Sequence, residues 1–439
     1  MLPSNDRALP ATLLFALTCV CGCGEEAPSD TADRPDGGPR PDHGVVCEGE
    51  VPRRLEPLCE DGAGIGCDCA LGTPEAFSTL DRGYGQSTLM LGPTTSGGFV
   101  AAHARGCVED CDTNRRAVLE VFRFDPSGQL LAEPLEVTSS LKPSTVDAVL
   151  EGDILSIAYG DEAGGSTESI HLAALDVETG RWLTEPRAVL DPPGALISVA
   201  LARGSGGYGV VFSQTVSRDR PDATPGFLFA SVDETGTDVT SPRLVADTWG
   251  RRVGLIDHGD GYLLGRWTED GLELARLSST GDVIDDPTPV SANRVGNSGP
   301  ILQRTEEGHR VTFGNWDGLF MAHTDRDGRL TDALLPIADG ALLDVVDDGD
   351  STVVTWRMVN RCPHDIENPP LDWTGGTVLT RVDAGGARVH RDLLLRHDRE
   401  TSASGAELVR SQAGLFIAYN VPLGPDGSTS WLRPACGSL

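Results

Sequence analysis

Lysine is all but missing from this 439-residue chain: Lys142 is the only one, so nearly all of its 35 basic side chains are arginines, set against 66 acidic ones. The formal charge of −31 argues against polyanionic partners, because a field of that sign repels nucleic acid and anionic lipid headgroups alike. The acidic balance reads as a solubilising surface. Aromatics are few, and neither heptads nor a long amphipathic helical pattern occurs, which removes coiled coils and helical bundles. What is abundant is punctuation: 53 Gly and 29 Pro without a collagen-like period mark many turns between short strands.

The signatures of common catalysts are also missing. The nine histidines are scattered, with no His-x-x-x-His pair, no Gly-x-Ser-x-Gly elbow and no phosphate-cradling glycine loop before a helix. His103, at a strand end, reads as a satisfied structural side chain, since a general base needs a partner within hydrogen-bond reach. Two acidic clusters carry oxygen ligands of the kind calcium takes: Asp344, Asp347, Asp348 and Asp350, and Asp325-Arg326-Asp327-Gly328 with Asp332. Neither has the ordered spacing of a calcium loop, and His323 stands where the second would begin. Solvent exposure accounts for the first cluster and a tight turn for the second, so no cofactor or metal is called for.

One pattern recurs seven times from about residue 74 onward. An apolar segment, a Gly-centred turn, a second apolar segment, a loop, a third segment, an Asp-x-x-Gly-like turn and a fourth segment follow one another. The first turns include Ser96-Gly97-Gly98, Glu151-Gly152-Asp153 and Gly259-Asp260-Gly261; the later ones include Asp125-Pro126-Ser127-Gly128, Asp233-Glu234-Thr235-Gly236 and Ser278 to Gly281. Asp or Ser opening a turn and Gly closing it is turn chemistry with a mechanism. The second segments end on His103, Tyr159, Phe212, Trp267, Phe313, Trp356 and Tyr419, and the spacing between these anchors varies almost wholly through the loop that follows. The seventh unit stops after its third segment, Trp431 to Cys436, while an orphan fourth segment, Glu75 to Leu80, precedes the first. A circular array would complete its last sheet with that orphan. The expected fold is therefore all-β: a β-propeller of seven four-stranded blades, the last closed by an N-terminal strand.

Ahead of the repeat, residues Ala8 to Gly22 form an apolar run too short to span a bilayer, followed at once by Glu25 and Glu26. The sequence Val20-Cys21-Gly22-Cys23 resembles the lipobox of bacterial lipoproteins. That resemblance implies a signal peptide over 1–22, lipidation of Cys23, and, with Gly24 next to it, delivery to the outer membrane or cell surface; without lipidation the product would be periplasmic or secreted. Residues 23–46, acidic and rich in Pro and Gly, read as a disordered tether, 47–73 as a short cysteine-rich segment and 74–439 as the propeller. Contact with the membrane is expected through the anchor alone.

Eight cysteines remain beyond the leader and the lipidated Cys23, an even number that in an exported protein favours disulfides. Cys69 and Cys436 flank the expected closure and could staple it, contributing about 3–5 kcal/mol if unstrained. Cys107 and Cys111 flank a tight stretch of the first long loop and are candidates for a local bond.

The loops between second and third segments are long in five units and would gather on one side of the ring, where binding surfaces tend to lie. Candidate contacts on that side are Arg105, Asp110, Arg218, Trp316, Arg357, His364, Asp365 and Trp373. The sequence reading is a surface-displayed binding or scaffold protein for an unspecified protein or glycan, with no nucleic-acid partner. The alternative is an extracytoplasmic carbohydrate-active hydrolase or lyase on the same scaffold. A carboxylate pair in the axial pocket would speak for the enzyme.

Overall fold

Second and third segments of the repeats are apolar on both faces, the pattern of strands covered on either side by neighbouring sheets. Gly207–Thr215 is buried at eight successive positions and Ile154–Asp161 at seven. The computed structural model describes residues 59–60, 75–80, 86–105, 117–161, 169–216, 221–247, 253–292, 299–315, 318–338, 340–358, 377–389, 392–395, 404–422 and 428–437. The chain divides into two units, Met1–Glu50 and Val51–Leu439, and all of these residues belong to the second.

They form strands throughout, arranged as seven antiparallel blades of four strands each, a β-propeller. Each blade runs as a meander from an inner to an outer strand, and the inner strands of neighbouring blades lie against one another. Blades 1 and 2 share one strand, Leu135–Glu151, whose first part is the outer strand of blade 1 and whose last part is the inner strand of blade 2. Blades 3 to 7 begin with Ala195–Gly204, Val253–Asp257, Ile301–Arg304, Gly340–Asp348 and Ser404–Ser411.

The ring closes as the repeat predicts. Glu75–Leu80 pairs antiparallel with Ser428–Gly437, with Glu75 opposite Leu432 and Leu80 opposite Ser428, and supplies the outer strand of blade 7. Phe77 then sets its ring edge-on to Phe122 and Phe124 of blade 1, at 5.2 and 5.8 Å, so one strand finishes a sheet and packs the next. One element was not foreseen: Cys59–Glu60, within the cysteine-rich segment, pairs in parallel with Leu393–Leu395 and covers the outer edge of blade 6.

The turns from third to outer strand in blades 1, 4, 5 and 6 share one construction. Asp125 Oδ1 accepts from the N–H groups of Ser127 and Gln129, Asp325 Oδ1 from Asp327 and Arg329, and Asp383 Oδ1 from Gly385 and Ala387; Ser278 does the same through its hydroxyl. The glycine that closes each turn has a left-handed φ and sits on the blade before it. At Gly281, φ is +86° and an added Cβ would lie 2.2 Å from Phe229 Cδ1 of blade 3. Gly128 meets Phe416 of blade 7 in the same way across the closure.

Candidate functional site

An antiparallel meander puts the second-to-third loops and the blade-to-blade connections at one end of the strands, and the tight turns at the other. Second strands stop at Arg105, Asp161, Thr215, Met358 and Pro422 in the five blades with long loops, and third strands resume at Ala117, Ser169, Gly226, Thr377 and Ser428. In blades 4 and 5 only two residues separate the second strand from the third, with Thr268 paired to Gly271 and Asn315 to Gly318.

Beneath the loop side lies a layer of buried polar groups that fasten connections to blades. Gln214 Oε1 accepts from Gly194 N at 3.0 Å, and its Nε2 donates to Thr224 O at 2.7 Å, so one side chain holds both the connection into blade 3 and its long loop. Thr138 donates to Asp161 at 2.8 Å, Ser198 and Ser213 share a bond of 2.7 Å, and Ser430 donates to Asn420 at 2.8 Å. His103 is fully buried between Phe77 and Phe122, with Nδ1 2.9 Å from Thr88 Oγ1.

Of the sequence-derived contacts, Arg105 ends the second strand of blade 1, and Arg357 is exposed near the end of the second strand of blade 6. Both strands end on the loop side, with blade 7 between them. Asp110, Arg218, Trp316, His364, Asp365 and Trp373 lie outside the described residues, as do Cys23, Cys69, Cys107 and Cys111. Cys436 falls on the last strand at a register slip between Ala435 and Gly437.

Sequence reading missed Asp147 and Glu407 on the inner strands, and it placed Asp344 in solvent, whereas that residue too lies on an inner strand with both carboxyl oxygens bonded to backbone. Asp147, Asp344 and Glu407 occupy one register level, opposite Ala158, Thr355 and Ala418 of their second strands. Asp147 of blade 2 accepts from Leu201 N of blade 3 at 2.8 Å and from its own neighbour Ala148 N at 2.9 Å. Asp344 of blade 6 repeats this with Leu408 N of blade 7 at 2.6 Å and Val345 N at 2.7 Å. Each carboxyl thus caps an N–H on the free edge of the next inner strand, a group that would otherwise go unpaired. Burial lifts Asp147 to about 6 and Asp344 to about 7, while the backbone donors pull the other way. Glu407 is hydrogen-bonded to Asp344 and held well above the ordinary carboxylate range, first by burial and then by the Asp344 charge. Burial and like charge thus favour a proton shared by this pair, Asp344 on blade 6 and Glu407 on blade 7. The visible signal was position: each residue sits across from the one preceding an aromatic anchor.

On the turn side Asp347 and Asp350 are exposed, as the sequence implies, but two members of their cluster are paired with arginine. Asp347 meets Arg310, and Asp348 meets Arg381 and Arg410, so the oxygens weighed for calcium already serve guanidinium groups. Asp325 is occupied in its own turn.

No protein-family model matches the chain, and no curated protein matches it in sequence. Among solved structures it is similar to the RRP9 WD40 repeats, at 12 % identity and a TM-score of 0.45 over 84 % of this chain and 99 % of that one. It is also similar to a putative exo-beta-1,3-galactanase from Bifidobacterium bifidum s17, at 14 % identity and 0.36 over 63 % and 95 %. A third likeness is to Kuenenia stuttgartiensis hydrazine synthase, at 13 % identity and 0.43 over 65 % and 77 %. The assignment of the fold rests on the blades themselves: the chain is a seven-bladed β-propeller.

Proposed function

We propose that the chain is an exported lipoprotein, anchored through Cys23 at the outer membrane or cell surface, whose propeller binds a protein or glycan on its loop side. The observation that carries the reading is the unequal build of the two sides. The turn side carries short self-capped turns, whereas five of the seven second-to-third connections on the other side are long. The signal-peptide pattern, the tether composition and the lipobox resemblance support the location. Membrane contact runs through the anchor only, and the acidic surface disfavours nucleic acid.

Two measurements test this. Wild-type protein fractionates with membranes and Cys23→Ser does not; equal distribution of the two would remove the anchor from the proposal. A glycan and protein array probed with the Cys23→Ser chain yields a saturable hit that Arg357→Ala weakens about tenfold or more, the effect of losing an interface arginine. No saturable hit, or one indifferent to the loop side, would remove the binding face.

A second reading, a carbohydrate-active hydrolase or lyase, is favoured by the Asp344–Glu407 pair, since glycosidic cleavage uses an acid beside a carboxylate. Against it, both oxygens of Asp344 hold backbone N–H groups, and Asp147 does the same without a carboxyl partner. Turnover of a bound glycan, abolished in Glu407→Gln, would replace the first reading with this one.

A further inference from the structure

The turn side has one place where its own rules fail. Elsewhere buried and half-buried arginines donate to carboxylates, within a blade as Arg266 to Glu273 and Arg381 to Asp348, or across a junction as Arg276 to Asp327 and Arg310 to Asp347. Arg203, its side chain only 17 % exposed, has only long ion pairs, 3.6 Å to Glu151 and 3.7 Å to Glu234, with no hydrogen bond to either. Arg187, exposed nearby, makes no hydrogen bond or ion pair among the described residues. Both guanidinium groups line a cavity of about 740 Å³ between blades 2 and 3.

The cavity is a built feature. The outer strand of blade 2, Arg181–Leu190, slips register against its neighbour three times, whereas the outer strands of blades 3, 4 and 5 slip once each. The two additional slips fall between Trp182 and Arg187, the stretch that forms one wall. Bulges re-aim side chains, and these turn Leu183 and Arg187 toward the space. The floor is apolar, formed by Ile154, Ala174 and the buried Tyr208. Leu183, at 57 % the most exposed large aliphatic side chain among the described residues, lies at the rim.

We propose that this cleft binds the carboxyl-terminal end of a peptide, its carboxylate taken by Arg203 and Arg187 and its last aliphatic side chain laid between Leu183 and Ile154. A guanidinium fork matches a carboxylate in plane and spacing, and the ion pairs of Arg203 to Glu151 and Glu234 are long enough for an incoming carboxylate to compete for its donors. Glu234 and Glu185 beside the arginines suit a singly charged carboxylate better than a doubly charged phosphate. The volume lies within the range of small-ligand sites and holds about two or three residues. The site is on the opposite side of the ring from the loops and does not depend on what they bind.

The test is calorimetric titration of the full chain carrying Cys23→Ser with acetyl-Ala-Ala-Leu, as the free acid and as the carboxamide. The acid binds saturably; the amide is at least tenfold weaker. Arg203→Gln lowers affinity for the acid tenfold or more, and Leu183→Ser lowers it several-fold. Because Arg203 is partly buried, Arg187→Gln, at an exposed position, provides a variant whose folding is not in question and weakens binding as well, with an unchanged thermal midpoint as control. Absence of saturable binding by the acid, equal binding of acid and amide, or full affinity in Arg187→Gln and a folded Arg203→Gln each overturns the proposal. Binding of glucuronate in preference to the peptide acid also overturns it, since the anion would then belong to a sugar.

Discussion

At the scale of single residues, the inner-strand carboxyls make the ring sensitive to pH in a direction that can be worked out. A buried acid whose folded value is raised, Asp147 to about 6 and Asp344 to about 7, keeps its proton longer in the folded chain than in the unfolded one. Its contribution is intact below the ordinary carboxylate value and is lost as pH rises through the folded value. His171, His258 and His309, pushed down by burial, act in the opposite sense, so the diagnostic is a difference between variants. Glu407→Gln keeps a neutral donor toward Asp344 and removes the titration. Its melting temperature should match the wild type near pH 5 and exceed it by a few degrees near pH 8, followed by circular dichroism. Parallel curves across that range would show that Glu407 does not hold the shared proton.

Among elements, the third-to-outer turns illustrate how far a sequence reports its own structure. Their Asp-to-Gly spacing was legible, because the carboxylate accepts from N–H groups two and four residues on and the glycine must take a left-handed φ. Asp233 shows the strength of such capping: the Thr235 hydroxyl, the largest cause, and backbone donors draw it down to about 2. That the glycine also touches the preceding blade was not legible, since nothing in the turn names its neighbour. Gly281→Ala would combine a strained φ with a Cβ driven into Phe229, and should cost about 2–4 kcal/mol. Gly152→Ala, with φ of +59° and open space around it, pays only the backbone term, about 1 kcal/mol. Urea midpoints of the two variants decide the matter; equal losses would mean that the blade contact contributes nothing. The same limit explains the candidate site. Repeat length told where the long loops lie, but the axial acids and the bulged cleft arise from pairing across blades and from register slips, which leave no local signature. Cys59–Glu60 is a further case, a strand of two residues with no alternation to detect.

For the whole molecule, closure by Glu75–Leu80 is the feature on which the ring depends. Without it blade 7 would present the last strand as an unpaired edge beside an emptied aromatic pocket. Deleting residues 75–80 should give a species that self-associates, seen as a higher mass by light scattering after size exclusion, while Phe77→Ala should keep the mass of the wild type and lose about 2–4 kcal/mol. A deletion variant with the mass and melting temperature of the wild type would mean that another segment can close the ring.

The turn glycines all rest on the blade before them, Gly180 on Arg123, Gly281 on Phe229, Gly386 on Leu335, and Gly128 over the seam on Phe416. Like roof tiles, the blades overlap in a single rotational sense, each being both cover and support. A blade gained or lost by duplication or deletion would have to bring both halves of that overlap, so blade number can change only in whole steps. The connections at the other end of the strands carry no such obligation, and their length can drift from one descendant to the next while the circle beneath them stays the same.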